Sequence, residues 1–238
     1  MKSIFFLSLI ALLPLFAISQ GFHFGIIAGI NSARYVGEAN KLTENLSNDI
    51  NEIEGISGFN FRTNSRVGLT IGFFYDVPIK SSFSIQPELR FIQKGTKISG
   101  TGWTSIQQGS FYCPFTFSED IFMQQDYFDI AVLLKHSFSF DNLNISLFAG
   151  PAFSYLAFSK IKVQVEVKDE SESETEKFEG IRKTDFSFIF GVIYDMSKTF
   201  KIEFRYQSGF IPIFKENYGD NLKILNSGFV INIIALIQ

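Results

Sequence analysis

Apolar and polar residues alternate with a period of two in eight separate stretches of this chain. That period predicts β-strands whose two faces meet different surroundings. The clearest stretch is Phe83 to Gly95, where Phe83, Ile85, Pro87, Leu89 and Phe91 share one face and Ser84, Gln86, Glu88 and Arg90 the other. Phe22 to Asn31 sets Phe22, Phe24, Ile26, Ala28 and Ile30 against His23, Gly25, Ile27, Gly29 and Asn31. Val67 to Asp76, Phe128 to Lys135, Leu143 to Tyr155, Asp185 to Tyr194, Phe200 to Gln207 and Gly228 to Ile237 repeat the alternation. Strands of roughly nine to twelve residues are predicted, the length a tilted strand needs to cross a bilayer.

The connections alternate as well. Ser32 to Ser65, Lys97 to Gln125, Ser159 to Lys183 and the segment through Gly209, Pro212 and Gly219 are long. Those at Pro78 to Ser82, Phe140 to Asn142 and Asp195 to Lys198 are tight. Transmembrane barrels combine short turns at one end with long loops at the other, and an even strand number brings both termini to the short-turn, periplasmic side. A soluble sandwich has no reason to keep that rhythm. The pattern therefore predicts an all-β fold: an eight-stranded antiparallel up-and-down transmembrane β-barrel with long external loops.

Energetics assign the faces. The apolar set is essentially free of charge, and a charge facing mid-bilayer lipid costs about 2–4 kcal/mol. The other set carries Glu88, Arg90, Asp129, Lys135, Lys201, Glu203 and Arg205. Such charges must pair or meet water inside the barrel. The third and seventh strands are four apart in an eight-strand closure, so Glu88 and Arg90 should meet Lys201, Glu203 and Arg205 across the lumen. A lumen charge network of Glu88, Arg90, Asp129, Lys201, Glu203 and Arg205 is expected. An eight-stranded bore is only wide enough to be filled by side chains, so the network reads as a structural plug. A small pore lined by opposing charges is the alternative. Aromatic residues near the strand ends, among them Tyr75, Phe83, Tyr127, Phe128, Tyr155, Phe204 and Tyr206, suit the girdles of such a barrel.

The N-terminus is read separately. Lys2 precedes an apolar run from Ile4 to Ile18, and Ala17 and Ser19 are small residues at the −3 and −1 positions of a cleavage site before Gln20. Residues 1–19 are thus an expected signal peptide and 20–238 the barrel domain. The chain is 46% hydrophobic and 19% charged, with 30 Phe among its 238 residues. That suits strands and excludes a disordered chain. A formal charge of −3 offers no basic surface for nucleic acid.

Candidate chemistry is sparse. A single Cys113 excludes an intrachain disulfide or a Cys-rich zinc site. The two histidines, His23 and His136, stand far apart in the sequence; His23 reads as a lumen-facing polar residue and His136 as one near a turn. Neither a catalytic constellation nor a cofactor or metal motif is found, and no enzymatic role is expected. The acidic run from Asp169 to Glu179 lacks the spacing of a calcium loop and reads as a solvated, mobile loop. Trp103, Phe111, Tyr112, Phe115 and Phe117 make the second external segment aromatic, which suits packing over the barrel mouth, with partner recognition second.

Several motifs carry a resemblance. The Gly-rich first strand, Pro87-Glu88-Leu89 with Lys94-Gly95 close behind, the segment from Tyr127 to Phe138, and Ala149-Gly150-Pro151 resemble the PorT-like outer-membrane β-barrel proteins of Bacteroidetes. Gln20 just after the cleavage site is similar to exported proteins of that group. The resemblance spans the mature chain, although the sequence ends in Ile237-Gln238 and not in the terminal Phe or Tyr usual for such barrels. It implies an eight-stranded barrel in the outer membrane, and one member of the group belongs to a protein secretion system. The expected function is a structural or interaction role, as in a secretion or surface-assembly complex, with outer-membrane lipid and protein partners met through the external loops. A narrow channel for small solutes is the alternative.

Overall fold

The computed structural model describes residues 23–53, 56–108, 111–141, 143–167, 170–215 and 222–237. The expected signal peptide and its cleavage site lie outside them, as do Phe22, Asn142, Asp169 and Gly219. The side chains of Phe111, Tyr112, Cys113 and Phe115 are likewise outside what is described.

Eight strands close into an antiparallel ring. In chain order the elements are β1 (His23–Gly37), α1 (Ala39–Asn51), β2 (Ile56–Pro78), β3 (Phe83–Gln108), β4 (Phe111–Phe140), β5 (Leu143–Val167), β6 (Glu170–Lys177), β7 (Thr184–Asp195), β8 (Phe200–Gly209) and β9 (Ile224–Ile237). Each ring strand pairs with its chain neighbours, and β1 pairs with β9 to shut the barrel, Phe24 standing opposite both Tyr75 and Ile237. β6 stands outside the ring and pairs with the far half of β5 alone.

The predicted faces are those observed. Leu69, Ile71, Phe73, Ile130, Val132, Leu134, Phe188, Phe190, Ile231 and Ile233 point outward and are exposed. Their neighbours Thr70, Ala131, Leu133, Ser187, Ile189, Asn232 and Ile234 are buried inside. On β4 the apolar belt runs from the His136 row, where the imidazole packs 4.2 Å from the Phe83 ring, to the Asp126 row, where Phe158 is the paired residue on β5. Ten residues separate those rows. At about 3.3 Å per residue and a tilt near 40°, they span about 25 Å along the barrel axis, the height of a lipid-facing band.

Beyond that band the structure departs from the sequence reading. Described residues 97–108, 111–125, 159–167 and 170–177 of the two expected loops are strand. β3 and β4 continue as one long hairpin of 26- and 30-residue strands, and β5 runs for 25 residues. Residues Glu170–Lys177 of the acidic run form strand β6, with Glu170, Glu172, Glu174 and Glu176 standing opposite Val167, Val165, Val163 and Ile161. Ser32 to Ser65 contains the end of β1, helix α1 and the start of β2. The physical reason is a second hydrophobic core. Tyr35, Phe59, Phe61, Ile98, Ile121, Met123, Ile213, Phe214 and Ile224 are buried together at the end of the barrel far from the termini.

Helix α1 lids this distal core. Leu42, Leu46 and Ile50 recur every four residues, so they share one face, and that face packs on the cluster. The helix is tied to β2 by side chains that imitate a strand partner. The Asn51 amide donates to the Phe59 carbonyl (2.8 Å) and its oxygen accepts from the Phe59 N–H (2.9 Å). Ser47 Oγ accepts from the Phe61 N–H (2.9 Å). At the other end of the helix the Glu38 carboxylate accepts the Lys223 N–H (2.7 Å). That bond and the Lys41 ammonium hold its carboxyl below the usual carboxylate range.

Asn51→Ala removes both bonds to Phe59 and leaves its backbone groups unpaired, a cost of about 1–3 kcal/mol. Amide exchange over Ala39–Asn51 should therefore quicken, while the barrel keeps its mobility shift between unheated and boiled gel samples. Unchanged exchange in α1 would show that the helix is held by its apolar face alone.

Candidate functional site

The lumen at mid-barrel holds the densest chemistry among the described residues. Every participant follows from strand parity, because inward positions on β3, β4 and β8 are alternate residues of the same register. Glu88 and Arg90 on β3 face Arg205 and Glu203 on β8, across the bore. Arg205 lies at the centre. Its Nη1 is 2.8 Å from Glu88 Oε2 and its Nη2 is 3.0 Å from Glu88 Oε1, a bidentate pair. The same guanidinium grips Glu203 through Nη2 (2.6 Å) and Nε. The plane of this cation also lies 5.2 Å from the Phe148 ring.

The remaining acceptor positions are filled by neutral amides. Gln86 donates to Glu88 Oε1 (2.7 Å) and Asn232 to Glu203 Oε1 (2.6 Å). Arg90 is held chiefly by charge, with Nε 3.2 Å from Glu88 and Nη2 3.7 Å from Asp129. Asp129 also takes Gln207 Nε2 at 2.9 Å and Lys94 Nζ at 3.4 Å. Lys94 in turn donates to Ser154 Oγ (3.0 Å) and lies 4.9 Å over the Tyr127 ring. All of these charged side chains are sealed from solvent or nearly so, and three cations (Arg90, Lys94, Arg205) face three anions (Glu88, Asp129, Glu203). Charges that cannot be hydrated must be matched in this way.

Two glycines make the room. Gly72 stands directly opposite Arg90 on β2, and Gly191 opposite Arg205 on β7. A Cβ on Gly72 would come 2.5 Å from Arg90 Cγ; one on Gly191 would come 2.5 Å from the Phe148 ring and 2.9 Å from Arg205 Cα. Each arginine thus lies down over a neighbouring strand that has no side chain there.

Of the six residues expected in the network, the structure brings Glu88, Arg90, Asp129, Glu203 and Arg205 together. Lys201 does not join them. It has the inward parity but sits at the turn end of β8, where its Nζ pairs with Asp195 at 2.9 Å. Lys135 similarly pairs with Asp76 near the same end. Lys94, Gln86, Gln207, Ser154 and Asn232 were not expected in the network, although all share the parity of the charges they serve. His23 departs from its expected lumen position and is exposed at the start of β1. The Phe117 ring packs against Phe59 of the distal core, tilted, with centroids 4.9 Å apart, whereas Trp103 is exposed. Among the described residues, no group of three or more His, Cys, Asp or Glu side chains could hold a metal ion.

Above and below, apolar side chains seal the network. Ile27, Phe74, Leu133, Phe148, Ile189, Ile193 and Ile234 fill the bore as one cluster, and Ile92, Tyr127 and Val230 form another.

Reversing one central charge tests this arrangement. Glu88→Lys would leave Arg90 and Arg205 facing a third cation, a loss of at least about 3–5 kcal/mol. The folded band on unheated gels should be lost or shift to a much lower unfolding temperature. Lys201→Ala breaks only a partly exposed pair and should cost under about 1 kcal/mol. Gly191→Val overpacks the lumen and should cost about 1–3 kcal/mol. Equal melting of the Glu88 and Lys201 variants would contradict the central role given to Glu88.

No curated protein matches this chain. Similar solved structures include Ail, the attachment invasion locus protein of Yersinia pestis, in complex with the heparin analogue sucrose octasulfate. It is 9% identical, covers 92% of this chain and 100% of its own, and has a TM-score of 0.40. Neisserial surface protein A is also 9% identical, with 91% and 99% covered and a TM-score of 0.41. The N-terminal β-barrel domain of Pseudomonas aeruginosa OprF is 8% identical, with 87% and 96% covered and a TM-score of 0.29. A family model described as the outer membrane protein beta-barrel domain matches residues 17–215. With its closed eight-strand ring and lipid-facing belt, the chain belongs to that family of outer-membrane β-barrels.

Proposed function

We propose that this barrel is a PorT-like outer-membrane protein that acts by structure and interaction, without catalysis, in a secretion or surface-assembly complex. Its termini and tight turns face the periplasm and its long hairpins face outward. The observation that carries the reading is the contrast between the two halves. The lumen is filled by matched charges between apolar clusters. Beyond the membrane band, however, the strands continue around a second core lidded by α1. A passage for solutes needs an open, wet bore, and the buried Arg205–Glu88 pair lies across this one. A surface for partners needs a rigid platform outside the lipid, and the distal core supplies it.

Two measurements check this. Reconstituted in a planar bilayer, the barrel should give no discrete conductance steps; regular steps would favour the narrow channel. Released from its native membrane in mild detergent, the full chain should co-purify with protein partners, and recovery as a bare monomer would overturn the assembly role. Orientation is tested in a Cys113→Ser background. Ser173→Cys should react with a membrane-impermeant maleimide on intact cells, and Ser82→Cys should react only after lysis.

A further inference from the structure

The outward face just past the lipid band carries a concave groove of about 260 Å3 lined by Arg66, Phe122, Gln124, Lys160, Lys162 and Thr175. Register fixes its make-up. Gln124 and Phe122 of β4 stand opposite Lys160 and Lys162 of β5, and Lys97 of β3 stands opposite Phe122 from the other side. The Lys97 and Lys162 ammonium groups lie 5.1 and 6.0 Å from the centre of the Phe122 ring. Thr175 enters from β6, opposite Lys162.

Lys160 and Lys162 of this groove have no salt bridge among the described residues, whereas Arg66 feels the nearby Asp126 carboxylate. Lys97 pairs with Asp120 (2.8 Å) and Lys177 with Glu179 (2.8 Å), both outside the groove. Arg66 donates to Gln124 Oε1 (2.8 Å) and the Lys94 carbonyl (3.2 Å), and Lys162 reaches only Gln164 (3.5 Å). Among the described residues Arg66, Lys160 and Lys162 have no ion-pair partner. Two carboxylates border it: Asp126, which accepts the Gln124 amide at 3.0 and 3.2 Å, and Glu176, which lines the adjoining pocket with Lys160. The glutamates of β6 at 170, 172, 174 and 176 fall in register with the inward column of β5, not with Lys160 and Lys162.

Height decides the occupant. Phe158, 71% exposed, is the last outward apolar residue of β5. Lys160 and Lys162 follow two and four residues later on the same face. At about 3.3 Å per residue and a tilt near 40°, they stand roughly 5 and 10 Å above the hydrocarbon edge. That is headgroup depth, where clustered Lys and Arg attract anionic lipid.

We propose that this groove binds the phosphate of a phosphorylated glycolipid headgroup in the outer leaflet. Lys160 and Lys162 supply the charge, Arg66 supplies directed N–H donors, and Phe158 and Phe122 lie along the acyl-chain and sugar side. The proposal rests on the outward orientation given above, but its test does not. Native mass spectrometry of the full barrel in detergent, titrated with bisphosphorylated lipid A, should show lipid-bound species. The double variant Lys160→Ala/Lys162→Ala should bind at least about tenfold more weakly, and dephosphorylated lipid A should bind the native chain as weakly as that variant binds the intact lipid. Both lysines lack ion-pair partners, so the variant keeps its unheated gel mobility. Equal binding by native chain and variant, or no preference for the phosphorylated lipid, overturns the proposal. Inorganic phosphate that displaces lipid A at equal concentration would make this a free-anion site and overturn the lipid as its source. A failed orientation test with retained binding would instead move the site to the other leaflet.

Discussion

The bore of an eight-stranded barrel has room for side chains and almost nothing else, and the rest of this structure depends on that constraint. Charges placed at mid-bore cannot be hydrated, and Glu88, Asp129, Glu203, Arg90, Lys94 and Arg205 each stand within reach of an opposite charge. Arg205 does so twice, on Glu88 and Glu203. Its bond to Glu88 spans 117 residues of sequence and joins walls that share no hydrogen-bonded ladder. Hairpin pairing fixes each strand to its neighbours only. A cross-lumen pair also fixes the bore, because any widening would strand two charges in a dry interior. Buried ion pairs are weak evidence for net stability, since desolvation offsets much of their attraction. They are stronger evidence for a single closed geometry, because breaking one costs far more than forming it gains.

The same constraint explains how much was legible in the sequence. Within the membrane band the rule is apolar outward and polar or small inward, and Glu88, Arg90, Asp129, Glu203 and Arg205 announced themselves as charges on the wrong face for lipid. Above the band the surroundings invert, with water outside and the second core inside. On β4 the apolar residues are accordingly the even-numbered Phe128, Ile130, Val132 and Leu134 in the band but the odd-numbered Ile121 and Met123 beyond it. A reader following one alternation sees it dissolve at that point and infers a loop. On β5 the numbering parity of the apolar residues stays odd through Ile161 and Val163, because the register shift beside Tyr127 turns the strand over. Long strands were thus hidden by a change of phase, and not by a lack of pattern.

Within the lumen, the residues not foreseen are neutral or late in their strands. Gln86, Gln207 and Asn232 carry no charge to draw notice, yet they occupy the lone pairs that the arginines leave open. Lys94 follows Arg90 at the same parity but lies next to Gly95, whose φ of 127° marks a break in the regular strand. Lys201 failed in the opposite sense. Its parity was right, but parity says nothing of depth, and the turn-end position gave it Asp195 as the nearer partner.

β6 shows why an acidic run need not be a mobile loop. Its glutamates alternate with Ser171, Ser173, Thr175 and Lys177, so all four fall on one face at a spacing near 7 Å. In water, neighbouring charges at that distance repel by only about 0.6 kcal/mol, and salt lowers the figure further. Eight residue pairs along β5, six of them beside Ile161 to Glu166, outweigh that repulsion. Among the described residues the far side of β6 has no partner strand, and an edge of that kind invites pairing with a second chain. A row of carboxylates along it makes self-association unfavourable, since a second β6 would bring the same charge. The run that looks least structured in the sequence is therefore what lets the distal sheet end in water.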